Sequence, residues 1–477
     1  MPCGLAAPPL SSLDFMRGST SLLCFPFADV RSMRVIASFR PQEMKIYPVS
    51  PIQRYCLLVS GRKNYGADMN VGACLYFPVD LDSSIVINRV SKCLAFHPAL
   101  NARFEISQDE CIYQSIDDTD NFIEYLDSSY EVKSLIGDES IFQHYREWYA
   151  TRGVSRNHAD LVSGVVSRNK HIEYALYDEI PRRVSIIGSP LDGYTICLSF
   201  HHAMCDATSV SILHQYLNDY ILGVPSCSGM QLEFLDRCVN EDERLPLVQS
   251  RQLQYWERLL SSSKDESNAS LIDREASLCL SKVIHSCDIR SMFGSRKVTQ
   301  FPHLCALYEG LEAVTRISRR NIISTIDNRR SAEDSRIIGC MFRHLIWCFP
   351  EGADSSRAAL RKFLVAQAMR HYQNVDVTLD LILEAYSTQQ GRFPALDAGF
   401  SFRIAGMVKT DVLSKSEIVP QYIDALYERL KIHLHVVIDG DLATSYLVYN
   451  KEFVAPNELD IFEKRFTHAL DHFKGVD

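Results

Sequence analysis

Residues 194–207 read Tyr194-Thr-Ile-Cys-Leu-Ser-Phe-His201-His202-Ala-Met-Cys-Asp206-Ala207. The first seven residues are mostly apolar, with β-branched and aromatic members, which predicts a buried strand. Neighbouring side chains of a strand point to opposite faces, so only one of the two histidines can face a given cavity. A neutral imidazole at the end of a rigid strand suits a general base, because its pKa lies near working pH. Asp206 lies just beyond the strand, and we expect it to hold a turn or to fix the nearby geometry.

The two adjacent histidines are a weak signal by themselves, because the chain contains 15 histidines. A buried histidine satisfied by backbone groups is the ordinary structural explanation. In its context, however, His-His-x-x-x-Asp after an apolar strand resembles the HHxxxDG signature of the chloramphenicol acetyltransferase-like superfamily. That superfamily includes the condensation domains of nonribosomal peptide synthetases. Ala207 replaces the family's glycine, which would strain the turn only if this position needs a positive φ.

Further phrases that resemble condensation domains follow in the family's order from Met44 to the C-terminus. They are Met44–Tyr55 with Ser50, Pro51 and Gln53, His97–Phe104, Gln252–Leu260 with Tyr255 and Trp256, and Asn328-Arg329 followed by Ile337–Phe342. One departure is Asn101, where the family has an arginine. The order of these phrases, rather than any single one, supports the resemblance.

The resemblance implies an α/β, layered α+β fold of two chloramphenicol acetyltransferase-like halves in a V shape with a central tunnel. Residues 44–225 form the N-terminal half with the His-His-x-x-x-Asp motif, and residues 248–477 form the C-terminal half. A largely polar connection separates them, and residues 1–43 are a leader of uncertain structure. Residues 105–180 exceed what the family usually needs, so we expect an insertion or enlarged loops there, with an aromatic-rich helix near residues 142–149.

The resemblance also implies roles for the residues of the motif. His202 would be catalytic, accepting the proton of the attacking group or orienting that group, whereas His201 would pack inward. Asp206 would pair with an arginine of the second half. Arg329 is the candidate partner, and Arg330 is an alternative that would face the other side of the strand.

Two other chemistries fit these residues poorly. The neighbours of Cys205 supply no positive charge to lower its thiol pKa, which disfavours a nucleophilic cysteine. Side chains of adjacent strand residues diverge, so His201 and His202 predict no metal site.

As the resemblance implies, the acyl donor is a phosphopantetheine thioester on a carrier protein or on coenzyme A, and no cofactor is bound. The acceptor is an amine or a hydroxyl, and the product is an amide or ester of secondary metabolism. Arginines at 316, 319, 320 and 330 could receive the phosphopantetheine phosphate or an acidic carrier protein, or simply form a solvated helix end. Alternatives are a coenzyme A-dependent O- or N-acyltransferase that uses no carrier, and a catalytically degenerate platform that binds carrier proteins.

The composition of this 477-residue chain limits the partners and the cellular compartment that we expect for it. A net charge of -9 argues against nucleic acid as the main partner. Fifteen scattered cysteines without a C-x-x-C pair predict reduced thiols. Because no run of 18 or more apolar residues exists, we expect no membrane span. Together these features predict a soluble cytoplasmic protein.

Overall fold

A computed structural model describes most of the chain. The described residues are 32–37, 46–60, 69–108, 111–116, 121–129, 139–169, 172–224, 232–263, 265–267, 270–271, 273–274, 277–290, 299–349, 356–405, 416–419 and 425–473.

The helices of these residues are α1 Pro51–Ser60, α2 Ser83–Ala95, α3 Glu139–Ala150, α4 Arg156–Asn169, α5 Ala207–Leu222, α6 Glu233–Ser263, α7 Phe301–Leu311, α8 Arg357–Tyr372, α9 Leu379–Gln390 and α10 Pro456–Asp471. Within the described ranges, no helix is both long enough and apolar enough to cross a membrane.

The strands are β1 Ser32–Ala37, β2 Ile46–Pro48, β3 Asn70–Phe77, β4 Ala102–Ile106, β5 Ile112–Ile116, β6 Asn121–Asp127, β7 Arg182–Ser189, β8 Gly193–His201, β9 Glu266–Ser267, β10 Ser277–Asp288, β11 Asn321–Asp327, β12 Phe342–Cys348, β13 Phe393–Pro394, β14 Ala398–Ala405, β15 Glu417–Val419, β16 Ala425–Glu428, β17 Ile432–Asp439 and β18 Leu442–Tyr449. Two large sheets contain most of them, in the orders β1-β6-β7-β8-β3-β15 and β12-β11-β14-β17-β18-β10-β16.

The first sheet is covered by helices on both faces. Ile196 and Leu198 of β8 belong to the core that includes α2 and α5. Cys197, between them, belongs to a separate core with Tyr145 of α3 and Val162 of α4. Every residue of β8 is buried, which explains why its sequence is an apolar run rather than a polar-apolar alternation.

The second sheet carries α7 and α8 on one face. Phe402 of β14 contacts the ring of His303 in α7, with centroids 6.1 Å apart. Trp347 of β12 contacts His371 of α8, with centroids 5.1 Å apart. Since strand side chains alternate, His344 of β12 and Ser401 of β14 lie on the opposite face. This opposite face is called the open face below.

One strand of the second half completes the first sheet. β15 comes between β14 and β16 in the chain, yet it pairs antiparallel with β3, where Ile418 lies opposite Leu75. Beside it, Ser416 Oγ lies 2.8 Å from His214 Nε2 of α5. The two sheets are therefore joined by hydrogen bonds as well as by packing.

Residues 226–247 were predicted as a polar connection between the two halves. Most of this segment is instead the first part of a long helix, α6. α6 begins at Glu233 and runs for 31 residues, with Pro246 inside it. Its buried side chains cluster near its two ends, for example Phe234 and Trp256, and the middle is largely exposed. A solvated helical stretch has the composition of a loop, which is why composition misled the prediction.

Two other expectations also need correction. The apolar spacing from Leu360 to Leu383 is typical of one long helix, but the structure divides it into two, since α8 ends at Tyr372 and α9 begins at Leu379. Residues 105–180 are not mainly enlarged loops, because they contain β5, β6, α3 and α4.

Parts of the predictions fall outside the described residues. The acidic stretch Asp117-Asp118-Thr-Asp120 does so entirely. Of the leader 1–43, the structure describes residues 32–37, which form β1 antiparallel to β6.

Candidate active site

The site begins where β8 ends and the chain turns into α5. The His202 amide donates to the Met69 carbonyl at 2.7 Å, and the Met204 amide donates to the His201 carbonyl at 2.9 Å. Gln53 Nε2 of α1 donates to the Ala203 carbonyl at 2.9 Å. The turn is thus fixed by backbone hydrogen bonds and by the buried amide of α1.

The His202 imidazole is oriented and neutral. Its Nδ1 lies 3.2 Å from the Cys205 carbonyl oxygen, and because a carbonyl only accepts, Nδ1 carries the hydrogen. This tautomer leaves a lone pair on Nε2. Burial lowers the pKa of His202, although the Asp206 carboxylate and the Cys205 carbonyl raise it in part. At neutral pH the ring can therefore accept a proton at Nε2.

His201 points the other way and is fully buried. Its Nδ1 accepts from the Ala203 amide at 3.2 Å, so Nε2 is the donor to Ser60 Oγ, 2.7 Å away. Burial lowers the pKa of His201 to about 3. Both nitrogens are occupied, and the residue packs inside the protein.

Asp206 is the N-cap of α5. Its Oδ1 accepts from the Ser209 amide and hydroxyl, each at 2.8 Å. Arg329 binds both oxygens, with NH1–Oδ2 3.0 Å and NH2–Oδ1 3.1 Å, and the Met341 amide donates to Oδ2 at 2.9 Å. A carboxylate offers about four lone-pair sites, so these donors fill it. Burial alone would raise the pKa of Asp206, but the charge and hydrogen bonds of Arg329 outweigh it and lower the pKa.

Arg329 links three segments. Its side chain is 4% exposed, and besides Asp206 it donates through Nε to the Ile337 carbonyl at 3.1 Å and through NH2 to Ser209 Oγ at 2.8 Å. The guanidinium therefore ties the end of β11 and the segment before β12 to the start of α5. This ion pair joins the two sheet systems beside His202.

Ala207 is the first residue of α5. The first helical position has ordinary negative φ, so glycine is not required there and alanine is the best helix former. The departure from the family motif causes no backbone strain.

The sequence reasoning missed two aromatic neighbours on β12. The Phe342 ring lies 5.2 Å from the His202 ring, and the His344 ring lies 5.3 Å from that of Phe342. Burial lowers the pKa of His344 to about 3. The Phe-x-His spacing of a strand, which puts both side chains on one face, was the available signal.

The predicted arginine group is not one site. Arg316, Arg319 and Arg320 precede β11 and Arg330 follows it, so a seven-residue strand of about 23 Å separates them. Each arginine also has a different partner. Arg316 and Arg320 donate to the backbone carbonyls of Glu452 and Ser263, Arg319 pairs with the Glu312 carboxylate, and Arg330 donates to Asn328 Oδ1. A common donor site formed by all four is therefore wrong.

Cys205 is buried. Burial, followed by the charge of Asp206, raises the pKa of its thiol well above the usual value. The thiol stays protonated, which excludes it as a nucleophile at neutral pH.

Residues 43–279 match the family model described as Condensation domain. Cyclosporin synthetase simA of Tolypocladium inflatum is 22% identical over 284 residues, which cover 57% of this chain and 2% of the synthetase. The chain thus spans a small part of the curated relative that it matches.

Solved structures show the same fold over most of the chain. The complex of the X-domain and OxyB from teicoplanin biosynthesis matches with a TM-score of 0.65 and 15% identity, covering 92% of this chain and 94% of that chain. The condensation domain from the Monacolin K polyketide synthase MokA matches with a TM-score of 0.65 and 14% identity, covering 90% and 97%. This chain therefore has the same mixed α/β architecture as these solved structures.

Proposed function

We propose that this chain is an acyltransferase that joins an acyl group to an amine or a hydroxyl, because its residues 43–279 match the condensation-domain model. Condensation domains are acyltransferases that form amide or ester bonds. In this proposal the acyl donor is a phosphopantetheine thioester, on a carrier protein or on coenzyme A. The product would be an amide or ester of secondary metabolism.

The observation that carries the proposal is the state of His202. Its ring is neutral, its Nδ1–H is held by the Cys205 carbonyl, and its Nε2 lone pair is available. As the acceptor attacks the thioester carbonyl, Nε2 takes the acceptor's proton. When the tetrahedral intermediate collapses, the carbon–sulfur bond breaks and the imidazolium returns the proton to the leaving thiolate. No covalent acyl-enzyme is required, because the thioester is already activated.

The surroundings of His202 support a reaction chamber between the two halves. His202 belongs to the first sheet system, and Phe342, which contacts its ring, belongs to the second. We place the donor and acceptor paths in a tunnel between the halves, with His202 inside it. The Asp206–Arg329 pair would hold the halves at this separation and would not contact substrate.

The first experiment compares wild type with His202→Gln and with a matched control, His472→Gln, at the exposed histidine that directly follows α10. Each protein receives one acyl group on coenzyme A or on a carrier protein, with pooled amines and alcohols, and products are detected by mass spectrometry. We expect His202→Gln to lose about 10²–10⁴-fold in rate, and the control to match wild type. Undiminished product from His202→Gln would overturn the mechanism.

The same assay separates the alternatives. If the acyl group is transferred faster from coenzyme A than from the carrier protein, the chain is a carrier-independent acyltransferase. The X-domain structure was determined as a complex with OxyB, so a protein of this fold has a protein partner. Absence of transfer from every thioester, together with tight binding of a carrier protein, would replace the proposed reaction by a binding platform.

A further inference from the structure

Two histidines and a glutamate meet on the open face of the second sheet, away from the His202 motif. Glu428 is the last residue of β16, and His433 and His435 are alternate residues of β17. Alternate strand residues share a face, and β17 shows the pattern clearly. Its Leu434 and Val436 are fully buried, whereas both histidines are partly buried.

The ligand atoms of these three side chains converge. His433 Nδ1 lies 3.1 Å and His435 Nε2 lies 3.7 Å from Glu428 Oε1. One ligand atom from each residue lies within 4.8 Å of the others. Tetrahedral coordination with metal–ligand bonds of about 2.0–2.1 Å places ligand atoms about 3.3–3.4 Å apart. Small side-chain rotations therefore suffice to bind one ion.

The two ligand nitrogens differ, because His433 Nδ1 donates a hydrogen bond to Glu428 Oε1 at 3.1 Å and would give up that hydrogen on binding an ion. His435 Nε2 is enclosed, and it has no hydrogen-bond partner among the residues that the structure describes. An enclosed imidazole nitrogen 3.7 Å from a carboxylate oxygen lies too far for a hydrogen bond, but a cation between them would satisfy both.

Neighbouring groups support the orientation of His433. Ser401 Oγ lies 2.8 Å from His433 Nε2, the nitrogen that points away from Glu428. Such an outer hydrogen bond is the usual partner of a metal-binding histidine, because it fixes the tautomer and the ring plane. Gly399 leaves room for the ring, since a Cβ there would lie 2.9 Å from His433 Cδ2.

The position relates this cluster to the candidate active site. His344 pairs in register with Thr325 of β11, and Ser401 of β14 pairs in register with His435. β11 and β14 are neighbours in the sheet, so His344 and His435 are separated by three strand spacings, about 14 Å. Both lie on the open face, which also carries Phe342.

From this geometry we propose that Glu428, His433 and His435 form a binding site for one divalent transition-metal ion of the Zn²⁺ and Co²⁺ class. Two imidazoles and one carboxylate are a ligand set that suits such ions. Three protein ligands leave a coordination position for water or for another ligand.

The test measures metal binding and does not depend on acyl transfer. The protein is stripped with a chelator, dialysed and titrated with Co²⁺ and with Zn²⁺, and bound metal is counted after gel filtration. We expect one tightly bound ion per chain in wild type and its loss in Glu428→Gln and in His435→Gln. The Co²⁺ spectrum should lack thiolate charge transfer, which separates this site from the cysteines of the chain.

A matched control removes another histidine pair. His468 of α10 and His472, which directly follows the helix, are exposed, and their rings lie 4.3 Å apart, so they are a second place where Co²⁺ could bind. The variant His468→Ala/His472→Ala should keep the tight ion. If it loses the ion while His435→Gln keeps it, the proposal is wrong.

Thermal unfolding checks that the variants are folded. Zn²⁺ should raise the Tm of wild type, because an ion that binds only the native state stabilises it. His435→Gln should unfold cooperatively and show no such rise. Absence of tight binding in wild type would show that the cluster is an ion pair only.

Discussion

His202 and Asp206 lie in one turn, but protein groups make few hydrogen bonds to the first side chain and many to the second. Among the residues that the structure describes, the His202 side chain has one hydrogen bond, at Nδ1, and the residue is partly exposed. Asp206 is buried and receives five donor contacts, from Ser209, Arg329 and Met341. A polar group that the protein saturates can only support structure, whereas one with a vacant lone pair can react with substrate. Within this motif of six residues, the number of hydrogen bonds from protein groups therefore distinguishes the proposed catalytic role of His202 from the structural role of Asp206.

The largest expected effect comes from removing the saturated carboxylate. Asp206→Ala removes the buried carboxylate that binds Arg329 through both oxygens and leaves the guanidinium with Asp327, 2.8 Å away and more exposed, as its remaining ion-pair partner among the described residues; this should lower the free energy of unfolding by about 3–5 kcal/mol. Urea denaturation measures the change. Asp441→Ala, at the exposed pair with Arg290, should change it by less than about 1 kcal/mol. If the two substitutions lower the free energy of unfolding equally, Asp206 does not have the structural role that distinguishes it from His202.

Gly339 binds Ser209 through its backbone amide and lies two residues before Met341, whose amide binds Asp206. A Cβ at Gly339 would lie 2.0 Å from Cδ2 of Phe234, so Gly339→Ala should cost about 1–3 kcal/mol of stability. Phe234→Leu should recover part of that cost in a double-mutant cycle, because it opens the space. Strictly additive costs in urea denaturation would contradict this contact.

The third prediction concerns the vacant lone pair of His202. Its base form is needed for catalysis, so kcat/KM for acyl transfer should fall about tenfold per pH unit below the pKa of His202. Because burial lowers that pKa from the usual 6.5, the fall should begin below pH 6.5. His472→Gln should show the same profile. A midpoint at or above pH 6.5 would mean that another group titrates.

The smallest effect is expected at the motif's departure from the family. Ala207→Gly restores the family glycine at the first residue of α5. It should lower stability by about 0.5–1 kcal/mol or less, because glycine has the poorer helix propensity, and it should leave the rate unchanged. A rate increase would show that Ala207 limits catalysis.

The local part of the site could be predicted from the sequence. The apolar run before His201 predicted β8. Apolar residues at helical spacing after Asp206 are typical of a helix, and this segment is α5. Gly223 follows α5 with φ 75°, the left-handed conformation that glycine favours at a helix end. The resemblance proposed Arg329 as the partner of Asp206, and the structure places them 3.0 Å apart. These features depend on neighbours in the chain or on the motif itself.

Contacts between distant segments could not be predicted in this way. Nothing near Asp206 indicates that the Met341 amide binds its carboxylate. Similarly, His433-x-His435 has the spacing of one strand face, but the position of Glu428 depends on how β16 turns into β17. The solvated middle of α6 carries no apolar stripe, so its helical state was also hidden.

β15 has a consequence for how the chain is made. β3 is complete once Phe77 is synthesised, but its edge partner begins at Glu417, 340 residues later. At about 5–20 residues per second, that edge of β3 stays open for roughly 17–70 seconds on the ribosome. An unpaired strand edge is a template for wrong pairing, so we expect a chain truncated before residue 417 to aggregate, and chaperones to bind the nascent first half.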